Sequence, residues 1–308
     1  MKEMITIQIE FNVKNLDNDI NTVLSKDLID EYVQSIQTVV DQISVGMEVS
    51  SLTSIVIPNV FEEELFAFQK ANGLKVEYTN NNIGIACAKT LHYIKDGRIC
   101  YTIFLNKDFA CLIMSDSMIE SREDRDILRS NRLWVINLLY HELAHVHYYS
   151  STQNCFKCES SYDDMNKMDQ FFTDIAAIIW EEYYACRFSI LSYVADWIED
   201  DYSDFVNYIT SVKLQTDNEI ALFQTHKNDT IIFYAVQEGL QVLLKSSAYL
   251  LGHLNIFEDA KTRAELIQKI DDNLKDSFFH NIILKLSNQL DKIYDTRDTL
   301  KSYACIVI

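Results

Sequence analysis

His141, Glu142 and His145 stand in the order H-E-x-x-H within His141-Glu142-Leu143-Ala144-His145. A helix turns about 100° per residue, so the two imidazoles lie one turn apart on one face and can reach a single metal ion. Glu142 then sits about 100° round the helix, beside the ligands, where a general base for a metal-bound water belongs. Two imidazoles and a carboxylate suit Zn2+, and a catalytic zinc keeps its fourth position for water. Two histidines do not complete such a site, so a third ligand is expected downstream. Within Trp180-Glu181-Glu182-Tyr183-Tyr184-Ala185-Cys186-Arg187-Phe188, both Glu181 and Glu182 are candidates. Ala185, one turn after Glu182, would let two helices approach closely, whereas Glu181 has the bulkier Tyr184 there, so Glu182 is favoured. Without the motif upstream, the two carboxylates would read as a solvated helix face.

Other residues of ligand type carry less. His147 lies about 200° round the helix from His145 and cannot share its metal. Cys155-Phe156-Lys157-Cys158 has the spacing of half a zinc knuckle, and the sequence offers no second pair to complete it. The ending Cys305-Ile306-Val307-Ile308 fits the C-a-a-X pattern but lacks a polybasic neighbour, and a plain apolar terminus is the simpler reading.

The motif needs a helix, and its surroundings supply one. No Gly or Pro occurs between Gly97 and Gly239, and Leu133, Ile136, Leu139 or Tyr140, Leu143 and Val146 form an apolar stripe. The spacing predicts this helix to start between Ser121 and Ser130. Upstream, residues 5–13 alternate apolar and polar as a half-buried strand does, and residues 19–44 have helical spacing ended by Gly46. Residues 54–57 form a β-branched run before Pro58, and residues 61–71 return to helical spacing. Residues 90–95 and 98–105 flank Asp96-Gly97, a two-residue hairpin signal. The polar stretch 151–161 reads as a loop, after which Asp163 or Asp164 would cap a helix running to about Leu191. Segments 201–214, 218–251 with a break near Asn228, and 260–301 with one or two breaks are also helical. The pattern is an α/β sub-domain over residues 1–125 and a helical sub-domain over residues 126–308. With no Pro/Gly/Ser-rich hinge between them, it reads as one continuous body.

Composition narrows the partners. The 308 residues contain one Pro and six Gly, which predicts an α+β, mostly helical chain. The net charge of -19 repels phosphate backbones and anionic headgroups, which disfavours nucleic acid as a partner, and a basic peptide or protein would be steered in. No signal segment or membrane span is expected, and an odd count of seven Cys fits a reducing cytoplasm.

The motif followed by Glu182-Tyr183-Tyr184-Ala185-Cys186-Arg187-Phe188 resembles the gluzincin metallopeptidases. More narrowly, it is similar to the E-x-x-A-[D/N]-x-F signature of the CAAX-prenyl proteases and the soluble ImmA/IrrE-type peptidases. The resemblance implies a zincin-like core with a small N-terminal sheet packed on the active-site helix and a helical C-terminal lobe. It also implies a zinc peptidase with ligands His141, His145 and Glu182, and Glu142 as base. Substrate would bind by strand addition along the hairpin around Asp96-Gly97. A further donor to the oxyanion is usual in this group; Tyr249 and His253, one turn apart, are the candidates. The sequence departs from the signature at Cys186, where those families carry an orienting Asp or Asn. The rival reading is a catalytically silent zincin-fold or helical binding protein that recognises a protein partner without cleavage.

Overall fold

The computed structural model describes residues 7–13, 24–76, 80–81, 84–85, 87–120, 122–152 and 164–300. The Cys155 and Cys158 pair, the predicted loop after Thr152, the predicted helix start before Leu24 and the tail from Cys305 lie outside them. The fold is α+β and mostly helical, with a small mixed sheet, and the chain divides into two compact units, Met1–Ser151 and Thr152–Ile308.

In chain order the strands of the first unit are β1 (Gln8–Phe11), β2 (Leu52–Ile57), the short pair β3 (Asn80–Asn81) and β4 (Gly84–Ile85), β5 (Ala88–Lys95) and β6 (Arg98–Leu105). Its helices are α1 (Lys26–Ile43), α2 (Phe61–Ala71), α3 (Lys107–Ala110), α4 (Asp116–Glu120) and α5 (Arg125–Thr152). Four strands form a sheet in the order β1-β2-β6-β5, parallel except for the antiparallel β5–β6 hairpin at the edge. At the hairpin turn, Asp96 and Gly97 have φ of 52° and 73°, the two positive angles a tight two-residue turn requires.

Strand β2 is paired on both sides, and Ser54 to Ile57 are buried without alternation because helices cover both faces. On one face Val56, Leu91 and Phe104 meet Phe61 and Leu65 of α2. On the other, Phe11 stacks on Tyr32 of α1, and Thr90 of β5 meets Glu142 of α5. Helix α5 is therefore seated on the sheet, and Ser51 and Ser150 share a 2.7 Å hydrogen bond that ties its last turns to the start of β2. The buried stripe of α5 is Leu128, Val135, Leu139, Leu143 and Val146. Leu133, expected in that stripe, is exposed, because the buried positions recur at seven-residue spacing from Leu128 and Leu139 rather than from Leu133.

The second unit contains α6 (Lys167–Phe188), α7 (Ile198–His226), α8 (Asp229–His253), α9 (Ala260–Asn273) and α10 (Ile282–Leu300). Side-chain oxygens of Asn166, Asn228 and Asp259 accept from the first free backbone N–H groups of α6, α8 and α9. Asn166 thus caps α6 in place of the expected Asp164; Asp163 lies outside the described residues. The break expected between Leu214 and Asn218 is absent: α7 runs through that polar stretch and ends at Lys227, which adopts a left-handed φ of 51°. Glycines mark the tightest helix contacts of α8. A Cβ at Gly239 would lie 2.6 Å from Val212 Cγ1 of α7, and one at Gly252 would lie 2.5 Å from Cys186 Cβ and 3.0 Å from the Tyr183 carbonyl of α6.

Candidate metal centre

Helix α5 carries the motif where it is buried on nearly every side; His141, Glu142, Leu143 and Ala144 are all buried and His145 is half-buried. The helical spacing brings the rings of His141 and His145 to 4.7 Å, edge to face, with their Nε2 atoms 3.1 Å apart. Two nitrogens bound at about 2.1 Å to one tetrahedral zinc would stand about 3.4 Å apart, so the pair has the spacing that a shared ion needs. The same distance also permits a direct hydrogen bond when one Nε2 carries a proton.

Glu142 is held from the sheet. Thr90 Oγ1 donates to its Oε2 at 2.6 Å and lies 3.2 Å from its backbone carbonyl. This anchor depends on β5 being in register with β6, which puts Thr90 on the α5 face of the sheet. The negative charge on Glu142 is felt nearby: burial first, and then this carboxylate, push the Cys87 thiol up to about 11. His147 has a structural task on the far side of α5, where its Nδ1 accepts from the Glu48 backbone N–H at 2.8 Å. It fastens the helix to the segment before β2.

Glu182 is buried on α6, with Lys245 Nζ of α8 2.7 Å from its Oε1. Lys245 lies 5.6 Å from the Tyr249 ring centroid. Burial disfavours the Lys245 ammonium, but Glu182 and Tyr249 outweigh it and hold the pKa well above the ordinary lysine value. Burial, followed by the Glu182 charge, raises the Tyr249 phenol in turn. His253, four residues further along α8, has its Nδ1 2.7 Å from Asp201 Oδ2 and stacks on Tyr193, whose hydroxyl donates to the same oxygen at 2.6 Å. Lys245, Tyr249 and His253 therefore make a polar row at i, i+4 and i+8 along α8. Cys186, one turn after Glu182 on α6, is fully buried against Gly252, and its thiol is raised by burial and then by Glu182 and Asp201. The charged partner of Glu182 comes from α8.

His141, His145 and Glu182 each offer one ligand atom, and these atoms lie within 4.8 Å of one another, so the group could hold a metal ion. Two imidazoles and one carboxylate are a donor set that first-row divalent ions accept. Glu181, the alternative carboxylate, is only partly buried, and Glu182 is the one brought into this group. Nothing local in the helical segment 218–251 singles out Lys245. The signal that could have found it is its spacing from Tyr249 and His253. Among the described residues no helix is long and apolar enough to cross a membrane. No protein-family model matches the chain, and searches of curated proteins and of solved structures found no match.

Proposed function

We propose that the chain is a zinc-dependent peptidase of the gluzincin type, with a zincin-like core, ligands His141, His145 and Glu182, and Glu142 as general base. The observation that carries this reading is the buried Glu142 carboxylate, fixed by Thr90 and adjacent in sequence to the His141 and His145 pair. A site that served only to brace the fold would have no use for a base beside its ligands. Zinc, when bound, would acidify a water and polarise the substrate carbonyl. Glu142 takes the proton from that water and passes it to the leaving amine. Thr90 occupies its Oε2, which leaves Oε1 for proton transfer. Tyr249 and His253 are the candidate donors to the oxyanion, and Asp201 fixes the orientation of the His253 ring.

Among the described residues β5 is an edge strand of its sheet and carries Thr90, so an extended peptide added to that edge would run past Glu142. With a net charge of -19, basic peptides are the favoured substrates.

The test is incubation of the zinc-loaded chain with a library of basic peptides, with products read by mass spectrometry. Cleavage by the wild type, abolished in Glu142→Gln and by a chelator, is the expected result. Equal cleavage by Glu142→Gln, or none by the zinc-loaded wild type across the library, would overturn the reading.

A further inference from the structure

Lys245 is half-buried on α8, its side chain 36% exposed, with Leu243, Ser246, Ser247 and Ala248 buried beside it. The buried Glu182 carboxylate calls for a charged partner, and Lys245 Nζ supplies it 2.7 Å from Oε1. The meeting is built into the helix contact. Lys245 faces Glu182 and Gly252 faces Cys186, in the same order along α8 and α6. The missing side chain of Gly252 lets the two backbones close to the distance at which the lysine reaches the carboxylate.

We propose that Lys245 is a positioning residue for the metal centre: it fixes Glu182 as an aimed carboxylate, so that the third ligand is preformed before a metal arrives. This rests on the metal-site reading and is independent of peptide hydrolysis. Glu182 has three side-chain torsions, and the ion pair restricts where its carboxylate can lie. Lys245 pairs with Oε1, and the same carboxylate offers one ligand atom within 4.8 Å of those of His141 and His145. Partners of this kind fix ligand orientation, and their loss typically costs 10–100-fold in metal affinity. Repulsion between an ammonium and a dication runs the other way, but the carboxylate both would share offsets it. The pair thus assigns to Lys245 the support that Cys186, buried and uncharged against Gly252, does not give.

The experiment is zinc affinity of the full chain by competition with a chromophoric chelator, for wild type, Lys245→Met and Lys245→Arg, with folding of each checked by circular dichroism. Lys245→Met should bind zinc about 10–100-fold more weakly. Lys245→Arg, which keeps a charged donor, should recover most of that loss. If Lys245→Met does not fold, Lys245→Gln, which keeps a donor and loses the charge, takes its place and should also bind more weakly. A lysine serving stability alone would lower the unfolding midpoint and leave zinc affinity of the folded protein unchanged. Unchanged or tighter zinc binding in the neutral variants overturns this inference alone. A wild type that binds no zinc overturns the metal-site reading beneath it.

Discussion

Thr90 and Glu142, 52 residues apart in sequence, share a 2.6 Å hydrogen bond that joins the edge strand β5 to the motif helix α5. The hydroxyl contacts both the side chain and the backbone of the glutamate, so it sets the carboxylate's rotamer and its register on the sheet at once. Replacing Thr90 by Val keeps the shape and removes the donor. The expected result is about 1 kcal/mol less stability and, in a peptidase assay, a kcat about fivefold to tenfold lower with KM little changed. Thr90→Ser should restore both. A Thr90→Val enzyme with wild-type kcat would show that the bond does not position the base.

The glycines of α8 differ in what surrounds them, and the difference has a measurable size. A methyl at Gly252 meets Cys186 Cβ and the Tyr183 carbonyl, which belong to or adjoin the backbone of α6 and cannot turn away. Gly252→Ala should therefore cost about 1–3 kcal/mol in chemical denaturation. A methyl at Gly239 meets chiefly the γ-methyl of Val212. Gly239→Ala should cost less, and combining it with Val212→Ala should relieve the clash.

The two kinds of histidine on α5 are separable by metal content. His147 is engaged by the Glu48 N–H, so His147→Ala should lower stability by about 1 kcal/mol and leave zinc content unchanged. His145→Ala should abolish zinc binding. Equal loss in both variants would mean that zinc loss reports on the helix, not on the ligands.

Cys87 gives a pH dependence with a defined sign. Its pKa is raised from 9.0 to about 11, by burial first and then by the Glu142 charge, so the neutral thiol persists through pH 7 to 9. At pH 8 about one molecule in a thousand is thiolate, against about one in ten for a thiol of pKa 9. Iodoacetamide should therefore label Cys87 about a hundredfold more slowly than such a thiol, with the rate rising tenfold per pH unit up to about pH 11. Glu142→Gln removes the smaller cause and should quicken labelling modestly; no change would show that the carboxylate charge does not reach the thiol.

Local signals were legible where one short pattern decides the outcome. The hairpin at Asp96-Gly97, the bounds of α2 and the break near Asn228 all follow from turn and spacing signals within a few residues. The helix under the motif was likewise predicted, with Arg125 as its observed first residue. Chain-distant features were not legible: nothing in Thr90 announces that its face of the hairpin meets Glu142 of α5. The pairing of Lys245 with Glu182 depends on two helices closing at Gly252, a glycine whose role appears only with its neighbour Cys186 in view. The expected interruption of α7 failed because its flanking helix carries Leu214 to Asn218 through as an exposed polar turn.

The measurement that bears most directly on the central claim is zinc content per chain by elemental analysis, on protein purified without added metal and again after incubation with zinc. About one zinc in wild type and in Glu142→Gln, and none in His145→Ala or Glu182→Ala, is the expected result. No zinc in the incubated wild type, or wild-type content in His145→Ala, would contradict the three-ligand centre and leave the 3.1 Å approach of His141 and His145 as a hydrogen bond between two imidazoles.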